Sequence, residues 1–264
     1  MNERVDVEIR DGVADVRLVR ADKMNAVDDA MFQALIDTGD RLKTERGLRA
    51  VVLSGEGRGF CAGLDRGRFG KMAEGPGAPR HIGLRSYGIA NRSQYAAWVW
   101  HELPVPVVAA VHGVAFGAGF QLMLAADLRY LAPDTRLSIM EIKWGLVPDM
   151  TGTQLLRHLV RDDVARELTY TGRIFSAEEA LGYGLATRVT ADPREAAFAT
   201  AREIAAKSPS AIRAAKRLFN ASRVIAVEAG LVQEAIEQEA LIGNPDQVEA
   251  VRANLENRAP LFKD

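Results

Sequence analysis

Two short segments rich in small residues are the part of this chain best suited to chemistry. Residues 57–65 follow the apolar run 51–53, and residues 111–119 begin where the apolar run Val107–Val111 ends. Each run predicts a strand, and each segment leads toward a predicted helix. Small side chains leave backbone N–H groups open to a ligand, and a helix dipole favours negative charge at its N-terminus. Two such amides aimed at one oxygen would form an oxyanion hole.

Other catalytic signatures are missing from the sequence. It contains no G-x-G-x-x-G, G-x-x-x-x-G-K-[ST], H-E-x-x-H or G-x-S-x-G pattern. The single cysteine, Cys61, has no supporting histidine, asparagine or aspartate arrangement, so we interpret it as a packing residue rather than a nucleophile. The histidines lack the spacing of metal ligands, and we interpret all four as structural or exposed: His81, His101, His112 and His158. We therefore predict no metal site.

The composition excludes several classes of protein. With 264 residues, 48% of them hydrophobic, the chain suits one large domain or a domain with an appended helical piece. Its 34 basic and 35 acidic residues give a formal net charge of -1, which predicts no general attraction to nucleic acid or an anionic membrane. The first ten residues do not resemble a signal peptide, and no apolar run approaches a membrane span. The lone cysteine suits a reducing compartment, so we expect a cytoplasmic protein.

The elements that would position the two segments alternate between strands and helices. Asp11-Gly12 predicts the turn of an opening hairpin, and Met31, Leu35 and Leu42 recur at helical spacing after it. The order strand, strand, helix then repeats along the chain. This repeat suggests a stacked ββα superhelix, although periodicity alone is also compatible with a doubly wound sheet.

Two neighbouring regions each allow two interpretations. Residues 70–88 form the least regular stretch, with clustered glycine and proline, and predict either a lid or a disordered loop. Tyr95, Trp98 and Trp100 follow. We interpret them as helix core, with an apolar pocket wall as the alternative.

The last third of the chain is predicted to be helical. Residues 176–179 and 192–195 both read as capping boxes, the second with Pro193 at the first helical position. Apolar side chains after Pro209 form long amphipathic faces. These faces need partners, either another subunit or the core of the same chain.

The small-residue segments also carry a resemblance to a known family. Residues 60–65 read F-C-A-G-x-D, and residues 106–119 read P-V-V-A-A-V-x-G-x-A-x-G-x-G. With residues 20–26, 126–127, the region of Glu141 and residues 171–180, they resemble the crotonase superfamily, the enoyl-CoA hydratase/isomerase group. The similarity runs from about residue 5 to the C-terminus, with Ala21 in place of the usual proline.

This resemblance implies an α/β fold, a crotonase-like ββα superhelix with a helical C-terminal trimerisation region. It divides the chain into an acyl-CoA-binding core, residues 1–205, and a helical region, residues 206–264. The implied ligand is an acyl-CoA thioester, with coenzyme A as part of the substrate and no separate cofactor. The implied assembly is a homotrimer or a dimer of trimers.

The resemblance also assigns binding residues. The oxyanion donors are the backbone amides of Leu64 and Ala118. Ala118 stands where the family usually has glycine, so its backbone must adopt an ordinary conformation if the hole is intact. Asp127 is interpreted as structural. The implied substrate-binding residues are Lys23, Ala62, Leu64, Asp65, Ala118, Gln121, Phe262 and Lys263, the last two supplied to a neighbouring subunit.

Proton transfer is assigned to two acids. Glu141 occupies one of the family's two glutamate positions, whereas the other is Gln121, which hydrogen-bonds but cannot accept a proton. Asp149 follows Glu141 by eight residues, a spacing that resembles the family's double-bond isomerases; a turn aspartate after Pro148 is the alternative. We expect an isomerase of enoyl-CoA. The alternatives are a hydratase in which Gln121 positions water and Glu141 supplies acid and base function, another CoA-thioester reaction, or an inactive acyl-CoA-binding protein.

Overall fold

The computed structural model describes residues 4–74 and 82–263 as a mixed α/β fold with two sheets. The larger sheet has the strand order β1-β2-β3-β4-β6-β9, antiparallel only between β1 and β2, and the smaller has the order β5-β7-β8. The strands are β1 (Val5–Arg10), β2 (Val13–Leu18), β3 (Ala50–Gly55), β4 (Val107–Val111), β5 (Val114–Phe116), β6 (Leu128–Leu131), β7 (Arg136–Ser138), β8 (Phe175–Ser176) and β9 (Arg188–Val189).

Helices connect the strands and form the C-terminal region. The α-helices are α1 (Asp29–Lys43), α2 (Arg66–Ala73), α3 (Arg92–Glu102), α4 (Ala118–Leu124), α5 (Gly152–Leu156), α6 (Asp162–Thr171), α7 (Ala177–Tyr183), α8 (Pro193–Ala205), α9 (Pro209–Ser222), α10 (Val227–Leu241) and α11 (Pro245–Leu255). Two 3₁₀ helices span Ala21–Lys23 and Met140–Trp144. In the described part of the chain, no helix has both the length and the apolar character needed to cross a bilayer.

The predicted hairpin and first helix are confirmed. Asp11 and Gly12 both have positive φ, 51° and 76°, which matches the twist of a tight hairpin turn. Asp28 caps α1 by accepting a hydrogen bond from the amide of Met31, and Leu35 is buried on the face of α1 that packs into the core. A strand–strand–helix unit therefore starts the chain, and the same order recurs at β4, β5 and α4, which confirms the superhelix.

The central strands β3 and β4 of the larger sheet are buried on both faces because their side chains alternate between two cores. Val51 and Leu53 of β3 belong to the main hydrophobic core, whereas Val52 packs in a second cluster with Ala197 and Ala201 of α8. Strands covered on both faces read as continuous apolar runs, as residues 51–53 and Val107–Val111 do. The two small-residue segments directly follow β3 and β4, so the buried sheet fixes where they start.

Some local predictions need correction. The irregular stretch predicted for residues 70–88 begins inside α2, and residues 75–81, His81 among them, lie outside the described residues. The capping box at residues 176–179 is confirmed, with both reciprocal hydrogen bonds. At residues 192–195, only the bond from the amide of Glu195 to Asp192 is present. The predicted division at residue 205 coincides with the last residue of α8, and two separate domains stay a prediction.

Candidate active site

The two small-residue segments lie side by side at the carboxyl ends of β3 and β4, two neighbouring strands of the larger sheet. Cys61 forms an isolated parallel bridge with Ala115 of β5. A Cβ atom built on Gly119 would lie 2.4 Å from the carbonyl oxygen of Cys61, and one built on Gly63 would lie 2.7 Å from the carbonyl oxygen of Phe116. Side chains cannot approach that closely, so glycine at both positions is what lets the segments meet.

This approach brings the two candidate oxyanion donors together. A Cβ atom on Gly63 would lie 3.7 Å from the amide nitrogen of Ala118, and Leu64 is the next residue. Within the described residues, neither the Leu64 amide nor the Ala118 amide donates to a protein acceptor. Ala118 is the first residue of α4, where an amide has no partner inside the helix, and its φ is not positive. The expected ordinary conformation is therefore present, because Gly117 takes the unusual φ of 50° instead.

Glu141 lies directly against this loop. A Cβ atom on Gly117 would lie 3.3 Å from Oε1 of Glu141, so the glycine makes room for the carboxylate. Oε1 accepts a 2.7 Å hydrogen bond from Nε2 of Gln121, whereas Oε2 is buried and has no hydrogen-bond partner among the described residues. Burial raises the pKa of Glu141 above its ordinary value. The residue's own backbone amide and the bond from Gln121 oppose this rise, and the charge of Asp149 adds to it. A raised pKa favours the protonated form of a carboxyl, which suits a group that exchanges a proton with a ligand.

Asp149 belongs to the same site. It follows the buried Pro148, and its side chain is exposed on the surface of the cavity that Glu141 also lines. Desolvation by the surrounding residues raises the pKa of Asp149 above its ordinary value. Two acids with raised pKa values that face one cavity are typical of an acid–base site rather than of a turn.

The cavity is large enough for an extended ligand. It has a volume of about 1000 Å³ and is walled by the two small-residue segments, α2, and the segment from Met140 to Met150. Most of the side chains predicted to bind or react line it: Lys23, Ala62, Leu64, Asp65, Ala118, Gln121, Glu141 and Asp149. Phe262 and Lys263 do not line it within the chain, so their contribution to a neighbouring subunit stays a prediction.

Comparison with known proteins identifies the family. The sequence model of the family described as Enoyl-CoA hydratase/isomerase matches residues 8–264. The chain belongs to this family. The mitochondrial Delta(3,5)-Delta(2,4)-dienoyl-CoA isomerase of Homo sapiens is 33% identical over 252 residues, which cover 93% of this chain and 77% of that protein. The mitochondrial Methylglutaconyl-CoA hydratase of Mus musculus is 30% identical over 261 residues, covering 96% and 80%.

Solved structures agree with this assignment. The crystal structure of an enoyl-CoA hydratase from Bacillus anthracis has a TM-score of 0.88 and 31% sequence identity, and the match covers 98% of this chain and 99% of that one. The chain therefore has the crotonase fold of the enoyl-CoA hydratase/isomerase family. The relatives include hydratases and isomerases, so the reaction must be argued from the site.

The cavity of this family member contains cations that sequence reasoning missed. Arg58, Arg66 and Lys143 line it with exposed side chains, in addition to the predicted Lys23. Lys23, Arg58 and Arg66 form no ion pair with any described residue. The sequence placed Arg58 and Arg66 at either end of the first small-residue segment, and this clustering was the available signal.

The side chain of Asp65 has a structural role, and the predicted contact of its backbone with the ligand stays a prediction. Its side chain accepts a 2.8 Å hydrogen bond from the amide of Gly67, which caps α2, and a 2.7 Å bond from Arg20. The backbone bond, together with Arg20, holds the pKa of Asp65 below its ordinary value. The side chain thus fixes the start of α2, and a ligand would meet the surrounding backbone.

The aromatic wall of the cavity also differs from the alternative considered from sequence. Phe69 of α2 stacks on Trp144, with ring centroids 4.0 Å apart and planes 12° apart. Both rings line the cavity, whereas Tyr95, Trp98 and Trp100 do not. The preferred core interpretation is therefore confirmed for Tyr95 and for the fully buried Trp100, whereas Trp98 is partly buried and packs against the same core.

The remaining chemistry-bearing side chains have structural partners. Cys61 is buried, and desolvation raises the pKa of its thiol to about 12, which agrees with a packing role. Asp127 accepts bonds from the amide of Val107, 2.7 Å, and from Nζ of Lys216, 2.8 Å, so it joins β4 to α9. Among residues 4–74 and 82–263, no group of three or more histidine, cysteine or acidic side chains is arranged to hold a metal ion.

Proposed function

We propose that this family member shifts a carbon–carbon double bond in an enoyl-CoA thioester. The observation that carries the proposal is that Glu141 and Asp149 line one cavity with the Leu64 and Ala118 amides. A double-bond shift needs two carbon positions served by proton carriers and one oxygen that holds negative charge. The site offers groups for all three tasks.

The geometry suggests a division of labour. Glu141 lies against Gly117, next to the Ala118 amide, so its carboxylate is closest to the carbon beside the thioester carbonyl. In a 3-enoyl-CoA, it would take the proton from that carbon. The C–H electron pair forms a double bond from that carbon to the carbonyl carbon, and the carbonyl π pair moves onto the thioester oxygen between the two amides. As this dienolate collapses, the carbonyl re-forms, the double bond moves to carbons 2 and 3, and the electron pair of the original double bond takes a proton from an acid at carbon 4, which leaves a 2-enoyl-CoA. Asp149 would serve that carbon.

Hydration receives less support from the same site. In the alternative mechanism, Gln121 holds the attacking water, but its side chain is only 1% exposed. Its oxygen accepts bonds from the amides of Met150 and Gly152, and its nitrogen donates to Glu141. An inactive acyl-CoA-binding role also receives less support, because binding alone does not require two acids with raised pKa values in the cavity.

Anchoring of coenzyme A is proposed for the cationic rim. Lys23, Arg58, Arg66 and Lys143 are exposed around the cavity, and phosphate groups favour such exposed cations. The apolar stack of Phe69 on Trp144 suits an acyl chain. We propose that coenzyme A enters only as part of the substrate. A cytoplasmic location and the absence of another cofactor stay predictions.

Assembly through the C-terminal helices is a further part of the proposal. α10 buries none of its residues in the single chain, and Val227 and Leu231 are exposed, as is Phe219 of α9. Apolar faces of this size are usually covered by another protein surface. A second and third copy of the chain would cover them in a trimer or a dimer of trimers.

Sedimentation tests this assembly. We expect the unmodified protein to sediment with three or six times the mass of one chain. Leu231→Asp should release smaller species at micromolar concentration because it places a charge in the apolar contact. Leu231→Met keeps the apolar surface and is the matched control. Sedimentation of the unmodified protein as a monomer over a wide concentration range would refute the assembly.

The reaction is tested by product analysis and by Asp149→Asn. The purified protein is incubated with 2-enoyl-CoA and 3-enoyl-CoA thioesters, and the products are identified by NMR and mass spectrometry. We expect positional isomers that have the same mass as the substrate. Asp149→Asn should lower the isomerisation rate by roughly 10-fold or more, less than loss of a buried general base, because water reaches Asp149 and can replace it in part. Asp134→Asn makes the same change on an exposed turn outside the cavity and is the control.

Three outcomes would redirect the proposal. Products one water heavier, formed faster than isomers, would identify a hydratase. An Asp149→Asn variant as active as the unmodified protein would make Asp149 a turn residue and leave a mechanism that depends on Glu141 alone. No turnover of any thioester, with retained binding, would favour the acyl-CoA-binding role.

A further inference from the structure

Gln121 lies beneath the reacting carboxylate rather than in the path of the substrate. It belongs to α4 and is 1% exposed. Its Oε1 accepts a 2.8 Å bond from the amide of Met150 and a 2.9 Å bond from the amide of Gly152, and its Nε2 donates a 2.7 Å bond to Oε1 of Glu141. The side chain thus connects Glu141 to the segment that directly follows Asp149.

The two backbone donors fix which way the Gln121 amide points. A backbone N–H can only donate, so the side-chain oxygen must face Met150 and Gly152, and the NH₂ group must face Glu141. Oε1 of Glu141 already accepts this N–H, and a proton on Oε1 would weaken it as an acceptor. The bond from Gln121 therefore favours Oε2, the oxygen without a partner among the described residues, as the atom that carries the proton when Glu141 is protonated.

The segment held by Gln121 has a strained backbone. Thr151, between the two donors, has a φ of 72°, a left-handed conformation that a β-branched residue rarely adopts. The flanking amides converge on the Gln121 oxygen as they would on an anion. A Cβ atom on Gly152 would lie 2.7 Å from that oxygen, so the close contact depends on glycine.

We propose that Gln121 is a positioning residue that reserves Oε2 of Glu141 as the atom that carries the proton and holds the Asp149 segment in register with it. The expected effect of Gln121 on the reaction rate rests on the proposed function. The family resemblance implies that Gln121 binds the substrate or, in a hydratase, positions water. The burial of Gln121 and its three occupied hydrogen bonds support the positioning role instead.

Two substitutions at Gln121 separate positioning from mere structural support. Gln121→Met has a similar shape and removes all three bonds, so it should lower kcat by about 10- to 100-fold through misplaced acids while KM changes less than about threefold. Gln121→Glu keeps an oxygen for the two amides but places its other oxygen against Oε1 of Glu141. The two carboxylates must then share a proton, which moves it away from Oε2.

Among the described residues, Asp149 is the charged group that acts on the pKa of Glu141, and its contribution is the smallest. A new carboxylate at position 121 should therefore have the larger effect on the titration of Glu141. With ¹³C-labelled glutamate side chains, and Glu141→Gln to assign the signal, the Glu141 carboxyl should titrate at least one pH unit higher in Gln121→Glu than in the unmodified protein. The acid limb of the kcat–pH profile should move by the same amount. Gln154→Glu adds the same charge on the exposed side of α5 and should change neither.

The NMR titration does not depend on the reaction, so it separates the two proposals. If the unmodified protein does not isomerise thioesters, the proposed function fails, and the titration still decides whether Gln121 orders the Glu141 carboxyl. Gln121→Met and Gln121→Glu variants with the unmodified Glu141 titration would overturn the positioning role. The positioning role would also be overturned if the variants were less stable but their folded fraction kept the kcat and the pH profile of the unmodified protein. That result is expected of a purely structural residue.

Discussion

Glu141→Gln is expected to lower turnover by about 10²- to 10⁴-fold, the usual contribution of a general base, with acyl-CoA binding largely unchanged. The amide has the shape of the carboxyl and can stay in the same space against Gly117, but it cannot accept the substrate proton. Steady-state kinetics with the best thioester of the panel, and titration with a saturated acyl-CoA, measure the two effects separately.

Stability provides an internal control for this substitution. Because burial raises the pKa of Glu141, the unfolded state ionises first as pH rises through the ordinary value of 4.5, and the folded state then bears the cost of a buried charge. Glu141→Gln removes that cost, so its melting temperature at neutral pH should equal or exceed that of the unmodified protein. The advantage should vanish below pH 4.5, where both states of the unmodified protein are protonated. A variant that keeps full turnover, or that unfolds at neutral pH, would contradict this account.

Ala118→Pro is expected to lower kcat/KM by about 10²- to 10³-fold, because it removes one of the two oxyanion donors. Ala118 is the first residue of α4, the helix position where proline is best tolerated, since no intrahelical hydrogen bond is lost. The proline ring also projects toward the space of the missing hydrogen, so part of the loss should appear in KM. Circular dichroism and thermal melting check that the fold is retained.

Ala118→Gly is the matched control for the oxyanion hole. It keeps the amide and restores the residue that the family usually has there, so its activity should stay within about threefold of the unmodified value. Equal activity of Ala118→Pro and Ala118→Gly would show that this amide holds no charge in the transition state. The Leu64 amide would then act alone or the hole would lie elsewhere.

The site combines two features that folding alone does not favour. Oε2 of Glu141 is buried without a hydrogen bond, and Thr151 adopts a left-handed backbone conformation beside Gln121. Unpaired polar atoms and strained residues each cost free energy of folding, and they concentrate where chemistry requires them. Their occurrence around one cavity agrees with an enzyme active site better than with a site that only binds.

The sequence by itself determined the parts of this protein that depend on local chemistry. The hairpin at Asp11-Gly12 and the cap of α7 follow from residue types that favour positive φ or accept an amide bond. The close approach of the two small-residue segments also depends on residue type, because only glycine lets two backbones come so near, as at Gly63 and Gly119. Order and spacing of these motifs were therefore enough to reveal the resemblance to the family, and this resemblance, rather than periodicity alone, implied the superhelix.

Only the tertiary structure decided how the polar side chains of the site are used. Gln121 is adjacent to the loop in sequence, but its partners Met150 and Gly152 come from a distant segment, and their approach buries it. The same packing brings Asp149 to the cavity and places Arg58 and Arg66 at its rim. Periodicity encodes which face of an element is apolar, whereas the partner of a hydrogen bond depends on how separate segments meet in space.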